Sequence, residues 1–316
     1  MIRGPKRSTA LDGNPEHPPV SVVIPTYNRA DLLPACIDSA LRQDYPSFEV
    51  LVVDDGSSDN TQDVCRAYGG TIRYIRKRNG GTASALNVGL GAMSGLWFKW
   101  LSSDDMFEKG GLSKLMATAV GTTADIVYGD LMEIDSRGRY RGERKQRSFS
   151  DYNDLVVELW RHFIGSACGS VMRRSAFDRV GAFDESLGYA EDYEWWLRGA
   201  LIHGVGFRHV SSVVGLYRVH PGQISQERKD AALMKQQLIR ARVRAQVRSA
   251  ASSDPRLLEY HKSLTVKLRK TYAPIIPFVL KGERLPKGLT AAYFLSRILP
   301  RIASEVYWAA RPPLEA

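Results

Sequence analysis

Cysteine is scarce in this chain: Cys36, Cys65 and Cys168 are the only three in 316 residues. An odd, widely spaced set excludes a disulfide scaffold, fits a reducing compartment, and contains no close pair of the kind that holds a metal. Long apolar runs are also missing. No window approaches the ~18 uninterrupted apolar residues that would cross a membrane. The opening "MIRGPKRSTALDGNPEHPP" lacks an apolar core and reads as a disordered leader over 1–19, not as a secretory signal. No G-x-G-x-x-G turn follows the first apolar run, where Pro25-Thr26-Tyr27-Asn28 stands instead, so a dinucleotide-dependent oxidoreductase is set aside. Acid, finally, is rare at one end only. Residues 1–227 hold 26 Lys and Arg against 28 Asp and Glu, whereas 228–316 hold 18 against 6, so the net charge of +10 belongs to the C-terminal segment.

What is present alternates. "VSVVI" (20–24), "FEVLVVDD", "IRYIRK", "LWFKWLSS" and "ADIVYGDLMEID" read as strands. Between them "ADLLPACIDSALRQ", "TQDVCRAYG", "ASALNVGLGAM" and "GGLSKLMATAV" carry apolar residues at helical spacing. This order predicts an α/β fold, a mainly parallel Rossmann-like sheet flanked by helices, with ligands bound beyond the carboxyl ends of the strands. The arginine-rich "DSRGRYRGERKQRS" reads as an exposed hairpin, or as a flap on the acceptor side. After residue 228 the pattern changes to long basic helices, with Ile239, Val243 and Val247 on one stripe and Arg240, Arg244 and Arg248 beside it. Those helices either pack on the rest of the chain behind a solvated basic face or attach to an anionic membrane. No nucleic-acid-binding module is recognisable, so nucleic acid is not expected as a partner.

Two acidic pairs fall at strand ends, Asp54–Asp55 and Asp104–Asp105. Adjacent carboxylates repel each other and raise each other's pKa unless a cation or donor compensates. A turn or helix cap is the plain explanation for either pair alone. A ligand site explains why both occur where such sheets bind ligands. In "GYAEDYEWWLRGA", Glu191 and Asp192 stand where a loop passes into an amphipathic helix. There an acid either caps the helix or serves as a general base beside an aromatic wall.

Taken in order, "VSVVIPTYNR", "VVDDGSSDNT", "NGGTASALNVGL", "LSSDD", "VGAFDE", "AEDYEWWLR" and "YRVH" make the chain resemble the inverting nucleotide-sugar glycosyltransferases of family 2, with a GT-A fold. The resemblance covers about 20–227. It implies a nucleotide-binding half (20–130), an acceptor and catalytic half (131–227) and, beyond them, a basic helical extension (228–316).

By the same resemblance, Pro25, Tyr27 and Asp55 grip the nucleotide base, and Arg29, Arg78 and Asn87 lie near the base or diphosphate. Asp105 ligates Mn²⁺ or Mg²⁺, and Asp104 binds the ribose or the metal shell. Arg218 and His220 reach the diphosphate or complete that shell. Asp192 is the catalytic base and Glu191 positions the acceptor or its loop, while Trp195 and Trp196 offer a stacking surface to acceptor sugars or, for at least one of them, pack in the core. Two departures weaken the pattern. Ser102 stands where relatives often carry a further acid, and Leu86 where many carry Arg.

The implied activity is transfer of a sugar, from a UDP-sugar first of all, to a glycan or lipid-linked acceptor in cell-surface polysaccharide synthesis. The implied location is the cytoplasm or the cytoplasmic face of the membrane. A catalytically inactive nucleotide-sugar-binding or scaffold protein on the same fold is the alternative, against which the presence of both Asp105 and Asp192 argues.

Overall fold

A computed structural model describes residues 15–161, 163–223 and 229–251. Most of the expected leader and most of the basic extension lie outside the described residues. Two compact units divide the chain. One comprises Met1–Phe149 and Phe163–Gln226, the other Ser150–His162 and Glu227–Ala316.

The first unit is built on a nine-stranded sheet. β1 (Val20–Thr26) lies at the centre of its parallel part, between β2 (Phe48–Asp54) and β4 (Trp97–Trp100), with β3 (Arg73–Arg76) outside β2. Every residue of β1 is buried, as expected for a β-branched strand covered on both faces. The fold starts before Val20. The Pro18 carbonyl accepts from the Tyr45 hydroxyl and that of Pro19 from the Leu96 and Trp97 N–H groups. Helices α1 (Leu33–Leu41), α2 (Thr61–Ala67) and α3 (Thr82–Ala92) alternate with these strands, and α4 (Gly111–Val120) follows β5 (Met106–Phe107).

Parallel pairing continues only in part beyond β4. β8 (Ser170–Arg173) runs antiparallel to both β4 and β6 (Ile126–Ile134). β9 (Phe207–Arg218) is parallel to β6 and antiparallel to β5, and β7 (Tyr140–Arg144) forms a hairpin on β6. The sheet is therefore mixed, and its antiparallel part carries the second half of the site. Helices α6 (Arg174–Val180) and α7 (Glu191–His203) complete the unit.

In the second unit the described residues form α5 (Tyr152–Arg161) and α8 (Lys229–Ala251). The apolar stripe Ile239, Val243 and Val247 is buried as expected. The arginine stripe departs from a solvated or membrane-facing reading at two positions, because Arg240 and Arg244 are buried as well. Arg240 donates to the Arg161 carbonyl, and the Arg244 guanidinium lies 4.9 Å from the centre of the Trp160 ring. Their alkyl stems and planar heads serve packing.

Candidate active site

Asp54 and Asp55 close β2. The Asp54 carboxylate accepts from the Ser57 N–H at 2.8 Å and the Tyr74 hydroxyl at 2.6 Å. Asp55 pairs with the Lys77 ammonium at 2.7 Å and accepts from the Gly80 and Gly81 N–H groups. Gly56 makes this crossing feasible: its φ is +83°, and a Cβ there would stand 2.9 Å from the Asn79 nitrogen. Both oxygens of Asp55 are thus engaged within the chain, and Asp55 holds the 77–81 loop in place. A base N–H would have to compete with those donors.

Tyr27, by contrast, is 48% exposed at the end of β1. The residue after it, Asn28, has φ +50° and is fixed by bonds to Ser57 and Ser58. Arg29 donates to the Gly222 carbonyl at 2.6 Å, which ties the first loop to the segment after β9. Arg78 is exposed. Asn87 is fully engaged elsewhere: its amide bonds both backbone groups of Phe183 and the Glu185 carboxylate.

Asp104 and Asp105 follow β4. Burial and the neighbouring Asp104 push the Asp105 carboxyl well above the usual carboxylate range. Its compensation comes from the Arg218 N–H at 2.9 Å, the field of the buried Lys99 and the thiol of Cys168. Asp104 meets His220 Nε2 at 3.1 Å.

Arg218 does not reach outward as expected. It is buried, and its guanidinium donates to the carbonyls of Asp104, Asp135 and Ser136. It braces the acidic loop against the β6–β7 turn, and a charge spent on three carbonyls is not available to a diphosphate.

Beneath this loop lies a residue the sequence reading passed over. Lys99, the one charged residue in "WFKWL", is wholly buried and donates to the carbonyls of Trp100, Ala167 and Cys168. Burial brings its pKa down to about 8, with the field of Asp105 acting in the opposite direction. A lysine inside an apolar strand was the available signal. Lys77 was passed over too, and nothing in its flanking sequence marks it as the partner of Asp55.

Asp192 opens α7 behind Ala190, whose φ of +63° is unusual for a residue with a side chain. The carboxylate accepts from the Tyr193 N–H at 2.8 Å, but burial outweighs that bond and pushes its pKa up to about 6. Glu191 beside it is buried.

Trp195 and Trp196 have no exposed surface, which corrects their reading as an acceptor platform. The Trp195 indole donates to the Gly181 carbonyl and packs on Phe177 with ring centres 4.5 Å apart. Trp196 packs on Phe163 and Phe207, in a space that Gly165 leaves open by having no side chain. They form the wall that holds α7.

Acidic loops at the carboxyl ends of parallel strands, joined to a mixed second half, are the frame of the GT-A glycosyltransferase fold that the solved structures below share. The chain belongs to glycosyl transferase family 2, whose family model matches residues 21–181. An uncharacterized glycosyltransferase of Rickettsia typhi is 35% identical over 214 residues, 66% of this chain and 67% of that protein.

Among solved structures, residues 1–349 of Staphylococcus aureus TarS in complex with UDP-GlcNAc superpose with a TM-score of 0.59 at 19% identity, covering 89% of this chain and 79% of that one. The mannosyltransferase PcManGT from Pyrobaculum calidifontis, in complex with GDP-Man and Mn²⁺, gives 0.54 at 19% identity, covering 93% and 87%. These likenesses establish the fold. The family match ends before Asp192, Arg218 and His220, so their roles rest on geometry.

Among the described residues no three His, Cys, Asp or Glu converge as a metal cluster. A hard divalent cation that holds phosphate needs only one or two carboxylates from the protein. Asp105, with its negative charge disfavoured by burial and by Asp104, fits such a partner.

Proposed function

We propose that this chain transfers a sugar from a nucleoside diphosphate sugar, a UDP-sugar first of all, to a hydroxyl of a glycan or lipid-linked acceptor, with inversion. The observation that carries the proposal is Asp192, a carboxylate with its pKa pushed up to about 6 at the start of a rigidly packed helix. A base with a pKa near the working pH is ionised and still takes up a proton readily.

Asp192 removes the proton of the acceptor hydroxyl. The oxygen attacks the anomeric carbon, the bond from that carbon to the diphosphate oxygen breaks, and its electrons leave with the nucleoside diphosphate. Configuration inverts because attack comes from the face opposite the leaving group. No second acid is required of the kind that glycosidases use. Tyr27 stacks on the base beside Pro25, Asp104 meets the ribose, and Glu191 supports the acceptor loop. Asp105, with Asp104 and His220 beside it, would hold Mn²⁺ or Mg²⁺, which when bound stabilises charge on the departing diphosphate. The bound UDP-GlcNAc of TarS supports UDP as the first nucleotide to try, and the Mn²⁺ of PcManGT supports a divalent cation. We place the work in cell-surface polysaccharide synthesis, on the cytoplasmic side, with an anionic membrane surface as the second reading of 228–316, after a solvated basic face.

The test is thermal stability with UDP, GDP, dTDP and CMP, each with and without Mn²⁺, followed by product analysis with the matching nucleotide sugar. Saturation at about 100 times the dissociation constant adds roughly 2.7 kcal/mol. One nucleotide should stabilise the chain in a Mn²⁺-dependent way, and Asp192→Asn should keep that response while losing transfer. Equal transfer by wild type and Asp192→Asn would remove the base. Nucleotide binding without any turnover would favour a binding or scaffold protein.

A further inference from the structure

The reaction above makes no use of the β6–β7 hairpin. Between Asp135 and Arg147 it carries six basic side chains, Arg137, Arg139, Arg141, Arg144, Lys145 and Arg147, against two acids, Asp135 and Glu143. All six are exposed. Elsewhere residues 1–227 hold 20 Lys and Arg against 26 Asp and Glu, so the hairpin is a basic island on an otherwise acidic segment.

A charged edge strand is ordinarily explained as a guard against pairing with another chain. A few charges achieve that. Six of one sign on one hairpin repel each other, and an anionic ligand offsets that cost.

The position of the hairpin tells more than its charge. β9 runs between β5, which begins directly after Asp105, and β6, from which the hairpin springs. The hairpin root and the acidic loop are therefore two strand spacings apart, about 10 Å. Arg218 spans that gap, with bonds to Asp104 and Asp105 at one end and to Asp135 and Ser136 in the turn at the other. A chain lying on the hairpin root would thus be about 10 Å from the acidic pair. Some of the cations are already placed: Arg139 pairs with Asp135 at 2.8 Å, and the Arg144 guanidinium sits 5.2 Å from the Tyr217 ring centre. Arg137 and Arg141 have no acidic partner among the described residues and are the ones left to contact a ligand.

We propose that the β6–β7 hairpin is the binding site for an anionic glycan chain, one bearing carboxylate or phosphate groups along its length, which is the acceptor of the transfer. As an acceptor assignment this rests on the transferase reading above. As a polyanion site it stands alone.

The test uses the full chain and a fluorescein-labelled oligogalacturonate, with an uncharged dextran of equal length and vesicles of phosphatidylglycerol beside it. The oligogalacturonate should bind, the dextran should not, and the double variant Arg137→Ser/Arg141→Ser should bind about five- to tenfold more weakly. Its Mn²⁺-dependent response to UDP should match wild type. The control Arg42→Ser/Arg66→Ser, which removes exposed arginines on α1 and α2, should bind oligogalacturonate as wild type does.

Equal loss in that control would reduce the effect to net charge and overturn the proposal. A weakened UDP response in the double variant would place the hairpin in the donor site, and binding to vesicles alone would make it a membrane contact. Either result would also overturn it. If the oligogalacturonate binds through Arg137 and Arg141 but no nucleotide shifts stability, the polyanion site is upheld and the transferase reading fails.

Discussion

Asp54–Asp55 and Asp104–Asp105 are the same dipeptide, each at the carboxyl end of a strand that flanks β1, yet the molecule treats them differently. The first pair is compensated within its own loop and the next. Asp54 has the Ser57 N–H and the Tyr74 hydroxyl, and Asp55 has the Lys77 ammonium and two glycine N–H groups. The second pair has less. Asp105 has one backbone N–H, the field of Lys99, whose ammonium is spent on three carbonyls, and a thiol against burial and a neighbouring carboxylate, and its pKa is still raised. An acidic pair with its donors supplied holds a loop. One whose pKa stays raised despite its donors, at a ligand-binding edge, is where a cation would bind. Adjacent carboxylates in a sequence therefore identify a site only once their donors are counted.

The largest expected effect comes from removing the undercompensated charge. Asp105→Asn should lower transfer by about 100- to 1000-fold and abolish the effect of Mn²⁺ on UDP-induced stabilisation. Without metal it should melt no lower than wild type at neutral pH. The reason is the sign of the linkage: a raised native pKa favours the fold when the carboxyl is protonated, and that contribution is lost as pH rises from the ordinary carboxylate range to the raised value. A lower melting temperature in metal-free Asp105→Asn would show that the second pair is structural as well.

Lys77→Met should behave in the opposite way. It strands Asp55, which is buried, and should cost about 3 kcal/mol of stability in urea unfolding, with or without metal. A loss under about 1 kcal/mol would mean that the glycine N–H groups suffice and that Asp55 has capacity left for a base.

The third test compares both pairs with Asp192, whose pKa of about 6 falls where it can be titrated. The ionised form is the base, so transfer should fall about tenfold per pH unit on acidification below about 6 and level off above it. Asp192→Asn should flatten that limb. A limb that survives the substitution belongs to another group.

Much of the fold could be read from residue order. The apolar runs 20–24 and 48–54 and the helical spacing between them announce a layered α/β unit, and the punctuation "NGG" and "SSDD" falls where the structure turns. Lys99, a charged residue within an apolar strand, carried a signal that was passed over. What could not be read was which side chains meet. Arg218 lies 114 residues from Asp104, and its use as an internal brace depends on β9 inserting between β5 and β6. Asn87 and Phe183, 96 residues apart, are joined in the same way. Trp195 and Trp196 looked like a sugar platform because the family resemblance puts the catalytic base just before them, at Asp192. Both faces of α7 are covered at that point, which only the packing of Phe163, Phe177 and Phe207 reveals.

The sequence by itself determined the alternation of elements, the family pattern and the acids at strand ends, because hydrophobic period and turn chemistry act over a few residues. The tertiary structure decided which charges are spent and which remain. It closed Asp55 with Lys77, buried Arg218 under the acidic loop, raised Asp105 and Asp192 through desolvation, and left Arg137 and Arg141 exposed. Electrostatic compensation is set by distance and burial, and both arise only when segments far apart in the chain are packed together.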